Sequence, residues 1–169
     1  MSLDVSAFRL EEVFRIAIRL EDDGIAFYRA ASEKLSSRRL RDVLDGLVVQ
    51  EVEHRLVFQA LAAEFGTEFT SGKIPKEIPP QIVQALIEAE VFPPPEERDA
   101  AIASLHSPAQ VLRFAIRVEQ GSVEFYKAAA TAAKSQKVHD AFTRVLDQEY
   151  KHLRLLNAEL KVHKAHRAP

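Results

Sequence analysis

The chain has 169 residues, and its 23 Lys and Arg nearly balance its 25 Asp and Glu, which leaves a formal net charge of −2. A protein that coats nucleic acid needs a basic surplus, so this balance argues against one. Hydrophobic residues make up 47% of the chain and cysteine is absent. This composition favours a folded domain and excludes disulfides, thiolate metal sites and a cysteine nucleophile.

The sequence contains no apolar run that approaches the roughly 20 residues needed to span a membrane. The N-terminal residues also lack the basic start and apolar block of a secretion signal. We therefore expect a cytoplasmic protein that does not enter the membrane.

Proline placement divides the chain, because seven of the eight prolines lie between Pro75 and Pro108. Helix interiors exclude proline, so the two long proline-free arms predict helices. Apolar residues recur in these arms at alternating spacings of three and four, the pattern of a helical bundle. Ser107 before Pro108 is typical of a helix start. The spacing predicts four helices, near 6–35, 38–65, 108–134 and 136–162.

The links near Ser36 and Ser135 are too short for anything but antiparallel hairpins. The middle of the chain is long enough to run back along a bundle, and it offers short helices at Gln81–Glu90 and Glu96–Leu105. The sequence thus predicts an all-α fold, a four-helix bundle of two hairpins joined by a long crossover. The predicted single domain 1–169 comprises a hairpin at 6–65, a crossover at 66–107, a hairpin at 108–162 and a tail at 163–169.

The two arms resemble each other at one fixed offset of 98 residues, without gaps. Such self-similarity indicates a duplicated helical hairpin. The matched polar and aromatic residues are Glu21 with Glu119, Tyr28 with Tyr126, Gln50 with Gln148, Glu51 with Glu149, and His54 with His152.

Six of these polar residues occupy core positions of the apolar stripes, where unpaired charges are very costly. Residues equidistant from the turn of a hairpin lie at the same height. The midpoints of the two glutamate pairs are residues 36 and 134, each in a predicted turn. If the crossover sets the hairpins antiparallel about a pseudo-twofold axis, all four carboxylates reach one level in mid-bundle, about 22 Å from the turns at a rise of about 1.5 Å per residue. The six residues are Glu21, Glu51, His54, Glu119, Glu149 and His152.

One Glu from each of two helices and a Glu-x-x-His motif from each of the other two form the ligand pattern of a dinuclear carboxylate site. Four carboxylates neutralise two divalent cations. Oxygen-rich ligands with one imidazole per metal suit iron or manganese, and zinc would also bind. We therefore predict two iron ions as the cofactor, with manganese or zinc as alternatives.

Four other residues near these stripes have two possible roles each, one at the metal site and one in helix packing. Tyr28 and Tyr126 suit hydrogen bonding to ligand carboxylates or simple core packing. The small residues Gly24 and Ser122 leave room for metals and a small oxidant, or permit close helix packing. The residues predicted to lie on the surface are His106, His139, His163, His166, Asp22, Asp23, Glu53 and Glu124.

At these positions the chain resembles the ferritin-like superfamily and, within it, the rubrerythrin-related proteins. The resemblance covers the four helices and implies that the six residues are metal ligands. It also implies an oxidoreductase that reduces hydrogen peroxide or dioxygen in protection against oxidative stress, commonly as a homodimer. The segments that carry the resemblance are Ala17–Tyr28, Gln50–His54, Ala115–Tyr126 and Gln148–His152.

Two departures from rubrerythrins matter. Rubrerythrins usually carry a cysteine-ligated iron domain that delivers electrons, and these 169 residues contain no cysteine. Turnover would therefore need an external electron donor. Ser122 stands where rubrerythrins have an extra glutamate, so the resemblance does not carry over the redox-linked iron movement associated with that glutamate.

Two alternatives remain open from the sequence. A bacterioferritin-type protein that oxidises and stores or traffics iron has a similar ligand set. Haem is not expected in such a protein here, because bacterioferritin binds haem through methionine and the only methionine is Met1. The second alternative is a metal-free interaction bundle that has kept the ligand residues.

Overall fold

The computed structural model describes residues 10–65 and 100–165, and within them the chain is helical. The predicted helices at these positions are confirmed, although the last one runs three residues past its predicted end at 162. The residues at 100–103 are also helical, whereas the predicted short helix at Gln81–Glu90 lies outside the described residues. The helices are α1 (Leu10–Lys34), α2 (Arg38–Glu64), α3 (Pro108–Ala132) and α4 (Gln136–Ala165).

Local capping explains where two of the helices begin. The Ser37 side chain accepts a hydrogen bond from the backbone N–H of Leu40 at 3.4 Å, and Ser107 does the same for Gln110 at 3.3 Å. Pro108 follows as the first helical residue, where its missing N–H costs nothing. Only three residues separate α1 from α2 and α3 from α4, so each pair forms an antiparallel hairpin.

Both hairpins pack side by side, with α1 against α3 and α2 against α4. Two hydrophobic clusters fill opposite ends of the bundle. The first joins the start of α1 and the end of α2 to the end of α3 and the start of α4, around Phe14, Phe58 and Phe142. The second joins the remaining ends around Phe27, Leu44 and Leu112. This pairing of ends shows that α1 and α3 are antiparallel, and it leaves a layer in mid-bundle between the clusters.

The described end of the crossover is attached to the first hairpin. Ile102 packs into the second cluster, and the Lys34 ammonium donates to the carbonyls of Ile102 at 2.7 Å and Ala103 at 3.1 Å. Lys34, the last residue of α1, thus binds the carbonyl end of the short helical segment at 100–103. Within the described ranges, no helix combines the length and apolar character that crossing a bilayer requires.

Candidate metal centre

The layer between the two hydrophobic clusters holds all six predicted ligand residues, each with at most 5% of its surface exposed. One comes from α1, two from α2, one from α3 and two from α4. The glutamates of each hairpin are equally far from its turn, so they lie at one height in the bundle. In order along the chain they are Glu21, Glu51, His54, Glu119, Glu149 and His152.

These residues form two overlapping groups of four, and in each group one ligand atom per residue lies within 4.8 Å of all the others. Glu51 and Glu149 belong to both groups, so their carboxylates lie between the two candidate ion positions. The His54 position consists of Glu21, Glu51, His54 and Glu149, and the His152 position consists of Glu51, Glu119, Glu149 and His152.

Both imidazoles turn Nδ1 towards the carboxylates. His54 Nδ1 lies 3.2 Å from Glu51 Oε2 and 3.1 Å from Glu149 Oε1. His152 Nδ1 lies 3.1 Å from Glu149 Oε2 and 3.5 Å from Glu51 Oε1. The rings face each other with centroids 5.6 Å apart. Each histidine therefore contacts both Glu51 and Glu149, one from each hairpin, as two ions that share these two carboxylates would require.

The two buried tyrosines brace the cluster across the hairpins. Tyr28 of α1 donates its hydroxyl hydrogen to Glu119 Oε1 of α3, and Tyr126 of α3 donates to Glu21 Oε1 of α1. Both rings have none of their surface exposed, and Tyr126 stacks on Phe58. Both hydroxyls thus donate to carboxylates of the cluster, and each hydrogen bond crosses from one half of the repeat to the other.

The donor set fits a pair of divalent cations. Eight carboxylate oxygens and two imidazole nitrogens suit iron, manganese or zinc. Glu119 Oε2 is buried without a hydrogen-bond partner in the part of the chain that the structure describes. A buried carboxylate oxygen that lacks a partner is costly, and coordination of a cation would remove that cost.

Burial and close contact alter the acidity of the four glutamates. Burial and the neighbouring charge of Glu51 raise the pKa of Glu21 well above its usual value, and burial with the charge of Glu149 does the same for Glu119. Burial also opposes ionisation of Glu51 and Glu149, and the charge of Glu51 further opposes ionisation of Glu149. Close contacts with the lone glutamates and with the histidines outweigh these effects and lower both pKa values.

The histidines carry the compensating charge. Burial alone would lower the pKa of His54, but hydrogen bonds to the surrounding carboxylates raise it to about 12, and the pKa of His152 rises for the same reason. The raised pKa values favour protonation of both rings and of the two lone glutamates, so bound cations must displace protons, because metal ligands coordinate in their deprotonated form.

Replacing Tyr126 with phenylalanine should lower the free energy of unfolding of the metal-free protein by about 1–3 kcal/mol, because the buried Glu21 oxygen loses its donor. The ring keeps its packing on Phe58, so the variant should still fold. Urea unfolding measures the loss. The matched control is Tyr150→Phe, since Tyr150 is 39% exposed. Equal stability losses in both variants would contradict the bracing role.

Gly24 and Ser122 are both buried, one turn after the lone glutamates. A methyl group added at Gly24 would lie 3.6 Å from Glu51 Cγ, which is ordinary van der Waals contact. The glycine therefore leaves a gap of about one methyl group beside Glu51.

The predicted surface residues mostly lie on the surface, with two exceptions. Asp23 is 9% exposed and accepts a hydrogen bond from Arg19 Nε at 2.6 Å, so its predicted solvation is wrong. An arginine one turn earlier on the same helix compensates its charge. His163 is half-buried because α4 continues past 162. His106, His139, Asp22, Glu53 and Glu124 are exposed as predicted, and His166 lies outside the described residues.

Sequence reasoning missed two polar contacts. Gln50 Oε1 lies 3.2 Å from His152 Nε2, on the side of the ring away from the carboxylates. The repeat of Gln before Glu at 50–51 and 148–149 was a signal for this contact. Glu159 is buried and pairs with Arg39 at 2.8 Å, which joins the end of α4 to the start of α2. Arg39 gave no signal, because it lies on the exposed side of its helix.

Solved structures of similar shape identify the fold. A hypothetical protein from Pyrococcus furiosus aligns with a TM-score of 0.71 at 20% identity, over 98% of this chain and 96% of its own. A candidate ferritin-like diiron-carboxylate protein from Thermotoga maritima aligns with a TM-score of 0.64 at 23% identity, over 95% of this chain and 96% of its own. The fold is ferritin-like.

A DUF305 fragment from Deinococcus radiodurans shares this ferritin-like fold, with a TM-score of 0.69 at 16% identity over 90% of this chain and 97% of its own. No known family profile matches the chain, and no curated protein matches it. The similar solved structures confirm the predicted all-α ferritin-like bundle. Its interior holds a buried group of acidic and imidazole side chains suited to two metal ions. The closer likeness to rubrerythrins stays a prediction.

Proposed function

We propose that this chain is a dinuclear iron carboxylate protein that reduces hydrogen peroxide or dioxygen with electrons from an external donor. The observation that carries the proposal is the pair of overlapping four-residue groups, which share Glu51 and Glu149. Such sharing is what two neighbouring ions need and what a single-ion site does not. The similar Thermotoga maritima structure, described as a candidate diiron-carboxylate protein, supports this assignment.

The chain's own residues hold the centre and keep water away from it. The two shared carboxylates and one lone glutamate, with one Nδ1, would bind each ion. Phe58 and Phe142 pack beside Tyr126 and exclude solvent from one side of the layer. Burial and the charge of Glu119 raise the pKa of Tyr28, and burial and the charge of Glu21 raise that of Tyr126, so both phenols keep their protons and remain donors.

The proposed reaction needs two electrons and two protons for each peroxide, which yields two waters. When bound, the two ferrous ions would supply those electrons. The 169 residues contain no cysteine for a second iron centre, so the electrons that restore the ferrous state come from a separate donor. Protection of the cell from oxidants and assembly as a homodimer belong to the same proposal.

Stopped-flow mixing of the anaerobic ferrous protein with hydrogen peroxide tests this function. We expect oxidation of the wild-type centre to be at least about tenfold faster than that of the double variant His54→Ala/His152→Ala, since loss of even an outer metal partner costs roughly 10–100-fold. The matched control is His106→Ala/His139→Ala, because both of these histidines are exposed and distant from the cluster.

Equal peroxide consumption by the wild type and both double variants would overturn the reductase proposal. Uptake of iron far beyond two ions per chain, by an assembly with the mass of a large cage, would instead favour iron storage. Retention of two ions without faster oxidation would leave a metal-binding protein that is not a peroxide reductase.

A further inference from the structure

Gln50 contacts the back of one ligand histidine from the opposite hairpin. Its Oε1 lies 3.2 Å from His152 Nε2, and its amide nitrogen donates to the Gly46 carbonyl at 3.4 Å. The second contact orients the amide, because a flipped group would place its oxygen against the Gly46 carbonyl, where neither atom can donate a hydrogen. His152 Nε2 therefore carries a hydrogen and donates it to Gln50.

This hydrogen bond fixes the state of the metal-facing atom. A neutral imidazole that keeps its hydrogen on Nε2 presents a lone pair at Nδ1, and His152 Nδ1 is the atom that faces Glu119 and Glu149 at 3.4 Å and 3.1 Å. An acceptor behind a ligand histidine also increases the basicity of the ring and holds its orientation. The His152 position is thus preorganised from outside the cluster.

The other half of the repeat is built differently. The residue equivalent to Gln50 is Gln148, which would have to reach His54. Gln148 Oε1 instead accepts a hydrogen bond from Lys151 at 3.2 Å, on its own helix. Among the described residues, no hydrogen bond from Gln148 to His54 is present. The sequence repeat is symmetric at this point, whereas the contacts are not.

We propose that Gln50 is a positioning residue for His152 and that the His152 position therefore binds the first of two metal ions. This inference rests on the proposed metal centre and adds an order of filling to it. At a limiting supply of metal, the chain would hold one ion beside His152 while the His54 position is empty. A second, different cation could then enter the His54 position.

Zinc, which is diamagnetic, is a suitable probe for the metal-free full chain. Calorimetric titration of the wild type should show two steps that differ by about 10–100-fold in affinity, the usual effect of an outer partner. In NMR spectra of the histidine ring nitrogens, the first equivalent of zinc should shift the resonances of His152, and the second should shift those of His54. The Nε2 hydrogen of His152 should also exchange slowly with solvent in the wild type.

Three variants separate positioning from general damage. Gln50→Leu should weaken the first step by about 10–100-fold and merge it with the second. Gln50→Glu keeps an acceptor in place and should restore a separate, tight first step. Gln148→Leu is the matched control, because Gln148 is the repeat equivalent and is also half-buried, and it should leave both steps unchanged.

The outcomes distinguish this inference from the metal centre itself. Two ions bound in one step, an earlier shift of His54, or equal effects of Gln50→Leu and Gln148→Leu would overturn the role of Gln50 and leave the centre intact. If Gln50→Leu fails to fold, the order of the ring shifts in the wild type still decides the matter. Failure of the wild type to bind zinc would overturn both.

Discussion

Replacement of Glu149 by glutamine should abolish retention of both metal ions, whereas replacement of Glu21 should leave about one ion bound. Glu149 belongs to both ligand groups and lies 3.1 Å from each histidine Nδ1, while Glu21 belongs to one group. Loss of a shared ligand should cost each position more than the roughly 10–100-fold typical of an outer partner. Metal content after dialysis, measured by plasma mass spectrometry, gives the stoichiometry of each variant.

Glu53→Gln is the matched control for this series, since Glu53 is an exposed glutamate two residues from Glu51 on the same helix. It should retain two ions. Circular dichroism checks that the Glu149 variant keeps its helices, and Glu51→Gln provides a second shared ligand if it does not. Retention of one ion by both shared-ligand variants would mean that the two positions do not share carboxylates.

Binding of two ions should also raise the melting temperature strongly. A ligand present at 100 times its dissociation constant stabilises the native state by about 2.7 kcal/mol, so two independent ions contribute roughly 5 kcal/mol. In a protein of this size, that corresponds to an increase of about 10–20 °C. Calorimetric scans of the metal-free and metal-loaded protein measure the difference.

A chelator should reverse this increase, because the ions bind the folded cluster and not the unfolded chain. The variant Glu149→Gln should melt at the same temperature with and without metal. A wild type that behaves in the same way would favour the metal-free interaction bundle and would contradict the metal centre.

The helices and the level of the cluster could be predicted from the sequence because both follow from spacing. Apolar residues three and four apart fix the buried face of each helix, and equal distances from a short turn fix the height of paired residues. Glu21 with Glu51 and Glu119 with Glu149 therefore meet in mid-bundle. A buried polar residue on an apolar stripe needs polar partners, so its surroundings can be predicted from the other polar residues at the same height.

The contacts that the sequence did not predict depend on how the two hairpins pack together. Gln50 lies beside its apolar stripe, and only the packing of α2 on α4 brings it to His152. The burial of Asp23 was not predicted, because helical periodicity says nothing of the hydrogen bond that it accepts from Arg19. The different partners of Gln50 and Gln148 could not be predicted at all, since the repeat gives them the same position.

The crossed tyrosine bonds also restrict how the two halves of the chain can dock. A slip of α3 along α1 by one turn, about 5.4 Å, would pull Tyr28 from Glu119 and Tyr126 from Glu21 at the same time. Two buried oxygens would then lack donors, at a cost of about 1–3 kcal/mol each. Apolar faces alone tolerate such sliding better, so this polar layer favours a single alignment of the hairpins even without a bound cation.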